Sequence, residues 1–202
     1  MSSQPSDDMP PAQGLRERKK ARTKAAIQRE AVRLFREQGY GATTVEQVAA
    51  AAEVAPSTVF RYFPTKQDLV IDSDYDHVFE VMMRGQSPDL APNQAEHKAI
   101  HDILAEMTDE ELAVQRDRLV LILSVPELWG ASLGSIRKSM AVIAEQAAKR
   151  RGGDPADPRI RAYSGAAFGI MLMVGLDWTE NPEMDFASAL EQALTHLPEL
   201  EP

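Results

Sequence analysis

The chain has 202 residues, 44% of them apolar, and no cysteine. That length holds one well-cored domain or two small ones, the apolar share excludes wholesale disorder, and the missing thiols exclude a disulfide framework and a thiolate metal site. A net charge of −9 is the wrong sign for a polyanion-binding protein, but it is unevenly placed: Gly14 to Ile71 carries 11 Lys/Arg against 6 Asp/Glu, and Asp72 to Pro202 carries 11 against 23. The positive field belongs to the first third alone, although a modest basic excess over such a stretch is also what an ordinary solvated surface shows. No apolar signal-peptide core opens the chain, and the longest uncharged apolar stretch, Ala162 to Leu176, is shorter than the roughly 20 residues that span a bilayer. A cytoplasmic protein with no membrane partner is the expectation.

Residues 1–13 hold Pro5, Pro10 and Pro11 among Ser and Asp with no apolar periodicity, which predicts a disordered tail. From Arg16 to Gln38 the apolar residues Ile27, Ala31, Leu34 and Phe35 recur at helical spacing until Gly39 ends the pattern. Lys19, Arg22, Arg29, Arg33 and Arg36 form a basic stripe on the same helix, either a solvated face or a set of phosphate contacts. Thr44 with Gln47 is a capping-box start for a two-turn helix through Val45, Val48, Ala49 and Ala52. Only Glu53, Val54 and Ala55 precede the next helix, which opens on Pro56 and ends near Phe63 and Pro64. Thr65 with Asp68 repeats the capping pattern, and a fourth helix is expected to run unbroken to about Gly85.

Pro88, Pro92 and Asn93 mark a linker, and the absence of alternating β-branched runs argues against strands. Further helices are expected near 94–107, 109–124, 126–151, 158–179 and 185–197. The fold class is therefore all-α: a helix-turn-helix domain over 14–71 and a helical domain over 72–202.

Two short helices joined by a tight turn are what major-groove recognition requires. In the second helix Val59 and Phe63 are spaced for the interior, leaving Pro56, Ser57, Thr58, Arg61 and Tyr62 to face outward. Arg61 suits a bidentate pair with guanine or a phosphate contact. Thr44 and Lys66 sit at the starts of flanking helices, where helix dipoles favour phosphate. Three small helices packed without any partner would satisfy the same periodicity.

The segments Leu34 to Tyr40, Thr43 to Ala49, Val54 to Phe63 and Thr65 to Leu69 closely resemble the N-terminal domain of the TetR family of bacterial repressors. The family's usual glycine in the turn is Glu53 here, the usual serine before the recognition helix is Ala55, and the usual Tyr and His positions are Phe60 and Arg61. Carried over position by position, the resemblance implies DNA contacts from Thr23, Thr44, Pro56, Ser57, Thr58, Arg61, Tyr62 and Lys66.

The helix from Pro158 is apolar almost all round, with Ile160, Tyr163, Ile170, Met171, Val174 and Trp178 on one face and Phe168, Leu172, Met173 and Leu176 on another. The resemblance implies that the last two helices form a homodimer interface, which assigns Phe168, Leu172, Met173, Leu176, Leu190 and Leu194 to it. The same residues suit ordinary packing within one subunit. Methionines suit a site that adapts to an apolar ligand, though core filling is their commoner use. Phe79, Met83, Met107, Leu123, Trp129 and Met171 are the expected ligand-binding residues. The stretch Thr108 to Trp129 resembles the TetR subgroup with acyl-CoA-like ligand-binding domains, implying a fatty acyl thioester or similar amphiphile as effector.

His97 and His101 stand at i and i+4, but the residues between them lack the glutamate of a zinc hydrolase, and surface histidines need no metal. No phosphate-cradling glycine loop or nucleophile elbow occurs, so neither a cofactor nor an enzyme is expected. The expected function is a ligand-released, homodimeric repressor binding double-stranded operator DNA. The alternative is an interaction module of the same fold that docks on a protein partner and does not bind DNA.

Overall fold

The computed structural model describes residues 11–72 and 74–197, with side chains from 19 to 72 and from 77 to 197. Among the described residues there are ten helices and no strand. The chain divides into two compact units, Met1–Leu69 and Val70–Pro202, two residues ahead of the boundary expected from sequence.

The first unit is organised by α1, Pro11–Gln38. Its interior stripe of Ile27, Ala31, Val32, Leu34 and Phe35 is buried, each large side chain contributing roughly 1.5–3 kcal/mol of transfer free energy. Gly39, at φ 90°, ends α1, a conformation open to glycine at little cost. Tyr40 then folds back edge-on to Phe35, ring centres 5.1 Å apart. Onto this stripe packs α2, Val45–Ala51, and against α2 packs α3, Pro56–Tyr62; Val48, Ala49, Val59 and, just past α3, Phe63 are buried. A short α4, Asp68–Ile71, closes the unit with Leu69 fully buried.

The second unit contains α5 (Asp74–Gly85), α6 (Pro92–Glu106), α7 (Asp109–Ser124), α8 (Pro126–Arg151), α9 (Pro158–Glu180) and α10 (Phe186–Leu194). Helix starts follow local chemistry: Thr108 and Glu111 form a capping box on α7, Asp157 accepts from the Arg159 amide at 2.8 Å on α9, and Asp185 accepts from the Ser188 amide at 3.1 Å on α10. Val125 ends α7 and Pro126 opens α8 with a bend of 112°. The apolar α9 is the central element, packed against α7, α8 and α10, with Ile160, Tyr163, Ala167 and Val174 buried beside Ile143, Ala147, Leu190 and Leu194. Among the described residues no single helix is long and apolar enough to cross a membrane.

The structure corrects three expectations. The tail expected over 1–13 lies, for residues 1–10, outside the described residues, and α1 already begins at Pro11, a residue suited to the first helical position. Likewise Pro92, read as linker, opens α6. The unbroken helix expected from Thr65 to Gly85 is interrupted: α4 ends at Ile71, Asp72 lies outside any helix, and α5 starts at Asp74. The carbonyls of Val70 and Ile71, which a continuing helix would offer to amides four residues on, accept instead from the Arg118 guanidinium.

Candidate nucleic-acid interface and ligand cavity

The turn between α2 and α3 is held by backbone bonds. The Val54 amide donates to the carbonyl of Ala49 at 2.9 Å and the Glu53 amide to that of Ala50 at 3.2 Å, a Schellman closure whose left-handed residue is Glu53, φ 54°. A side chain in that region costs roughly 1–2 kcal/mol that glycine avoids. At the other end of α2, the Thr44 hydroxyl accepts from the Gln47 amide at 3.2 Å while the Thr44 amide donates to Oε1 of Gln47 at 2.8 Å. Val59 and Phe63 fix α3 from beneath by full burial.

The opposite face of α3 is the surface left over. Pro56, Ser57 and Arg61 are exposed, Thr58 and Tyr62 are half-buried, and the Arg61 guanidinium lies over the Tyr62 ring at 5.3 Å. Phe60, absent from the expected contacts, is 47% exposed, a large apolar ring in solvent. The signal was available in its position between Val59 and Arg61, one step off the buried face. Thr44 is exposed, and the Thr23 hydroxyl donates back to the Lys19 carbonyl at 2.9 Å.

Lys66 does not project from the start of a helix. It lies two residues ahead of α4, and its ammonium donates to the carbonyl of Tyr40 and sits 4.4 Å from the Tyr40 ring centre. The basic stripe of α1 is also partly self-paired. Arg33 Nε lies 2.9 Å from Glu30 and its Nη1 2.7 Å from Glu37, while Arg29 lies 3.7 Å from Glu30.

The second unit holds a cavity of about 310 Å³ between α5, α6, α7, α9 and α10. Phe79, Met107 and Met171 of the expected ligand set line it. Met83, Leu123 and Trp129 do not: Met83 is buried elsewhere in the unit and Trp129 is exposed near the start of α8. Wall residues outside the expected ligand set include Trp178, Phe186 and Leu190, and the polar pair Gln115 and Arg118. A signal for that pair existed in the spacing of Leu112, Gln115, Leu119 and Ile122, which puts polar groups on the apolar stripe of α7.

Of the residues assigned to a partner-facing surface, Leu190 and Leu194 are 3% and 2% exposed in the unit's own core, which corrects that assignment. They occupy the inner stripe of α10, which packs against α6 and α9 of the same chain. Met173 on α9 is 58% exposed, with Phe168, Leu172 and Leu176 half-buried beside it.

Two polar groups are buried away from the cavity walls. Tyr163 donates to Oε2 of Glu96 at 3.2 Å, and Oε1 of Glu96 has no hydrogen-bond partner among the described residues. Burial pushes the Glu96 carboxyl up to about 7, against the smaller downward pull of the Tyr163 hydroxyl. His101, of the histidine pair, bonds through Nδ1 to Glu191 at 2.6 Å, and no cluster of three metal-binding side chains occurs among the described residues.

Comparison with known proteins agrees with this geometry. Residues 27–72 match the family model for bacterial regulatory proteins of the tetR family, and residues 90–201 match a TetR C-terminal model described as the MftR C-terminal domain. The chain is 32% identical over 203 residues to the HTH-type transcriptional regulator TcmR of Streptomyces glaucescens, covering 95% of this chain and 90% of that protein. The crystal structure of Thermus thermophilus FadR, a TetR-family repressor in complex with lauroyl-CoA, shares the fold with a TM-score of 0.58 at 24% identity, over 89% of this chain and 95% of that one. A SmeT–triclosan complex does so with a TM-score of 0.60 at 18% identity, over 86% and 90%. By these matches and by its helix-turn-helix, the chain belongs to the TetR family of bacterial regulatory proteins and is a DNA-binding transcriptional regulator.

Proposed function

We propose that the protein is a homodimeric repressor that leaves its operator when a small apolar or amphipathic molecule fills the cavity of the second unit. The observation that carries this reading is the pairing, in one chain, of an outward α3 face in the basic first unit with an apolar-walled cavity in the acidic second. The volume is at the lower end of the range that takes drug-sized ligands. FadR in complex with lauroyl-CoA, an amphipathic molecule, and SmeT in complex with triclosan, a largely apolar one, share this fold.

In this reading Ser57, Thr58, Phe60, Arg61 and Tyr62 meet the groove, with Pro56 letting the backbone come close. Arg61 reads guanine or binds phosphate, and the Phe60 ring suits a thymine methyl. Thr23 and Thr44 flank the groove at the DNA backbone. Lys66 joins them only by leaving the Tyr40 carbonyl. A second copy meets the α9 face of Phe168, Leu172, Met173 and Leu176, and the C2 pair presents two α3 helices at a spacing of about 34–36 Å.

Selection of bound duplexes from a random pool by the purified protein tests the reading. A pseudo-palindrome whose half-sites lie one helical turn apart, bound by two protomers with steep salt dependence, is the expected result. Enrichment of single half-sites bound by one protomer would refute the dimer, and no enrichment at low salt would refute operator recognition.

A further inference from the structure

One side chain joins the cavity wall to the segment through which the chain enters the second unit. Arg118 is 8% exposed and lines the cavity beside Gln115, one turn earlier on α7. Its Nε donates to the carbonyl of Val70 at 2.8 Å, its Nη2 to that of Ile71 at 3.4 Å, and its Nη1 to Oε1 of Gln115. Val70 and Ile71 are the last two residues of α4. Terminal helix carbonyls have no partner within their own helix. Here a guanidinium supplies one, from a position 48 residues further along. The preceding carbonyl, of Leu69, accepts from Nε2 of Gln28 at 3.3 Å. The C-terminal end of α4 is thus defined by side-chain donors, and the donor for its last two carbonyls stands in the cavity wall.

The chemistry of that wall is one-ended. Phe79, Leu104, Met107, Met171 and Phe186 offer apolar surface, whereas Gln115 and Arg118, one turn apart on α7, offer donors. The Gln115 carbonyl oxygen is taken by Arg118, but its amide nitrogen makes no hydrogen bond to a described residue. A molecule seated here buries an apolar body and meets N–H groups at a single end.

We propose that the cavity selects an apolar molecule carrying an anionic oxygen group at one end, and that this group binds Gln115 and draws Arg118 off the carbonyls of Val70 and Ile71. The inference rests on the ligand-sensing reading above and adds to it the ligand's head group and the residue that answers it. Its energetic basis is competition. The bonds of Arg118 to the two carbonyls are already charge-assisted on the donor side, but an anionic oxygen adds a charge–charge attraction that a neutral peptide carbonyl lacks, and a largely buried site enlarges that advantage. A ligand shifts a two-state equilibrium only through differential interaction with the two states, and an anion that competes for Arg118 supplies that difference. An apolar molecule of the same shape without the anion fills the cavity and leaves α4 as it is.

Two fluorescent probes that differ in the head group test this on the full chain: 1-anilinonaphthalene-8-sulfonate and N-phenyl-1-naphthylamine. The sulfonate is expected to bind at least tenfold more tightly and, alone of the two, to accelerate hydrogen exchange of the amides around Val70 and Ile71. Arg118→Met should abolish both the preference and the exchange response while both probes still bind. Gln115→Leu, which leaves Arg118 in place, should reduce the preference severalfold, and it serves if Arg118→Met does not fold. Equal affinity of the parent for the two probes, or a preference that survives Arg118→Met unchanged, would overturn the proposal while leaving the sensing reading intact. If neither probe binds, or if filling the cavity with Met171→Trp leaves binding untouched, the sensing reading falls and this inference with it.

Discussion

In the first unit the residues that shape the reading surface are near neighbours in the chain: Thr44 caps with Gln47, Val54 closes on Ala49, and Phe63 packs one turn after Val59. In the second the decisive contacts are remote. Arg118 reaches back to Val70, Tyr163 to Glu96, and the cavity needs five helices to exist. The reading surface is consequently a local property that a few residue types can specify, whereas the cavity depends on how long helices settle against one another.

The largest expected effect tests whether the two units fail separately. Phe63→Ala removes a fully buried ring from the first unit and should cost about 3–5 kcal/mol there. Its checks are calorimetry and probe binding: operator binding should be lost while the cavity still takes the apolar probe. Loss of both together would mean that the units stand or fall as one.

Glu96→Gln sharpens the comparison from the other side. With a folded-state value of about 7 against an ordinary carboxyl value near 4.5, Glu96 holds its proton in the native state over a window where the unfolded chain releases it. The stability this contributes is complete below about pH 4.5 and is lost as the pH rises through about 7. The neutral amide keeps an acceptor for Tyr163 and removes the titration. Denaturant midpoints should therefore agree near pH 4.5, while the variant is more stable at pH 8.5 by on the order of 3 kcal/mol. An unchanged pH profile would remove Glu96 from the pH dependence of the second unit.

Arg61→Ala should weaken operator binding by about 1–3 kcal/mol and leave probe binding in the cavity unchanged, as measured by anisotropy of a labelled duplex. A loss confined to sequences with guanine at one position would assign it base contact; a uniform loss with a shallower salt slope would assign it to phosphate. The smallest effect is a gain. Glu53→Gly relieves the left-handed turn and should raise the thermal midpoint by the equivalent of about 1 kcal/mol, and a lower midpoint would contradict strain at that residue.

These differences also explain what the sequence shows and what it hides. The starts of α2 and α3 are visible in Thr44, Gln47 and Pro56 because capping and the first helical turn are short-range chemistry. The break after Ile71 is hard to see, since Leu69, Val70 and Ile71 continue the apolar pattern and their carbonyls are diverted only by remote contact, a guanidinium from α7 taking those of Val70 and Ile71. Lys66 reads as a phosphate contact by position, yet the carbonyl and ring of Tyr40 hold its ammonium in this structure. For the cavity, Phe79, Met107 and Met171 can be anticipated from apolarity, whereas the spacing on α7 marks Gln115 and Arg118 only as polar groups on an apolar stripe, and the packing of α7 puts them in the wall. Leu190 and Leu194 carry a stripe that suits either a partner or the interior, and only packing decides for the interior.

The most direct test of the link between the two units is anisotropy of a selected operator duplex, titrated with protein in the presence and absence of saturating 1-anilinonaphthalene-8-sulfonate, for the parent and Arg118→Met. The parent should lose at least tenfold in operator affinity when the probe is bound, and the variant should lose little. Unchanged operator affinity in the parent, with the probe shown to occupy the cavity, would contradict ligand release.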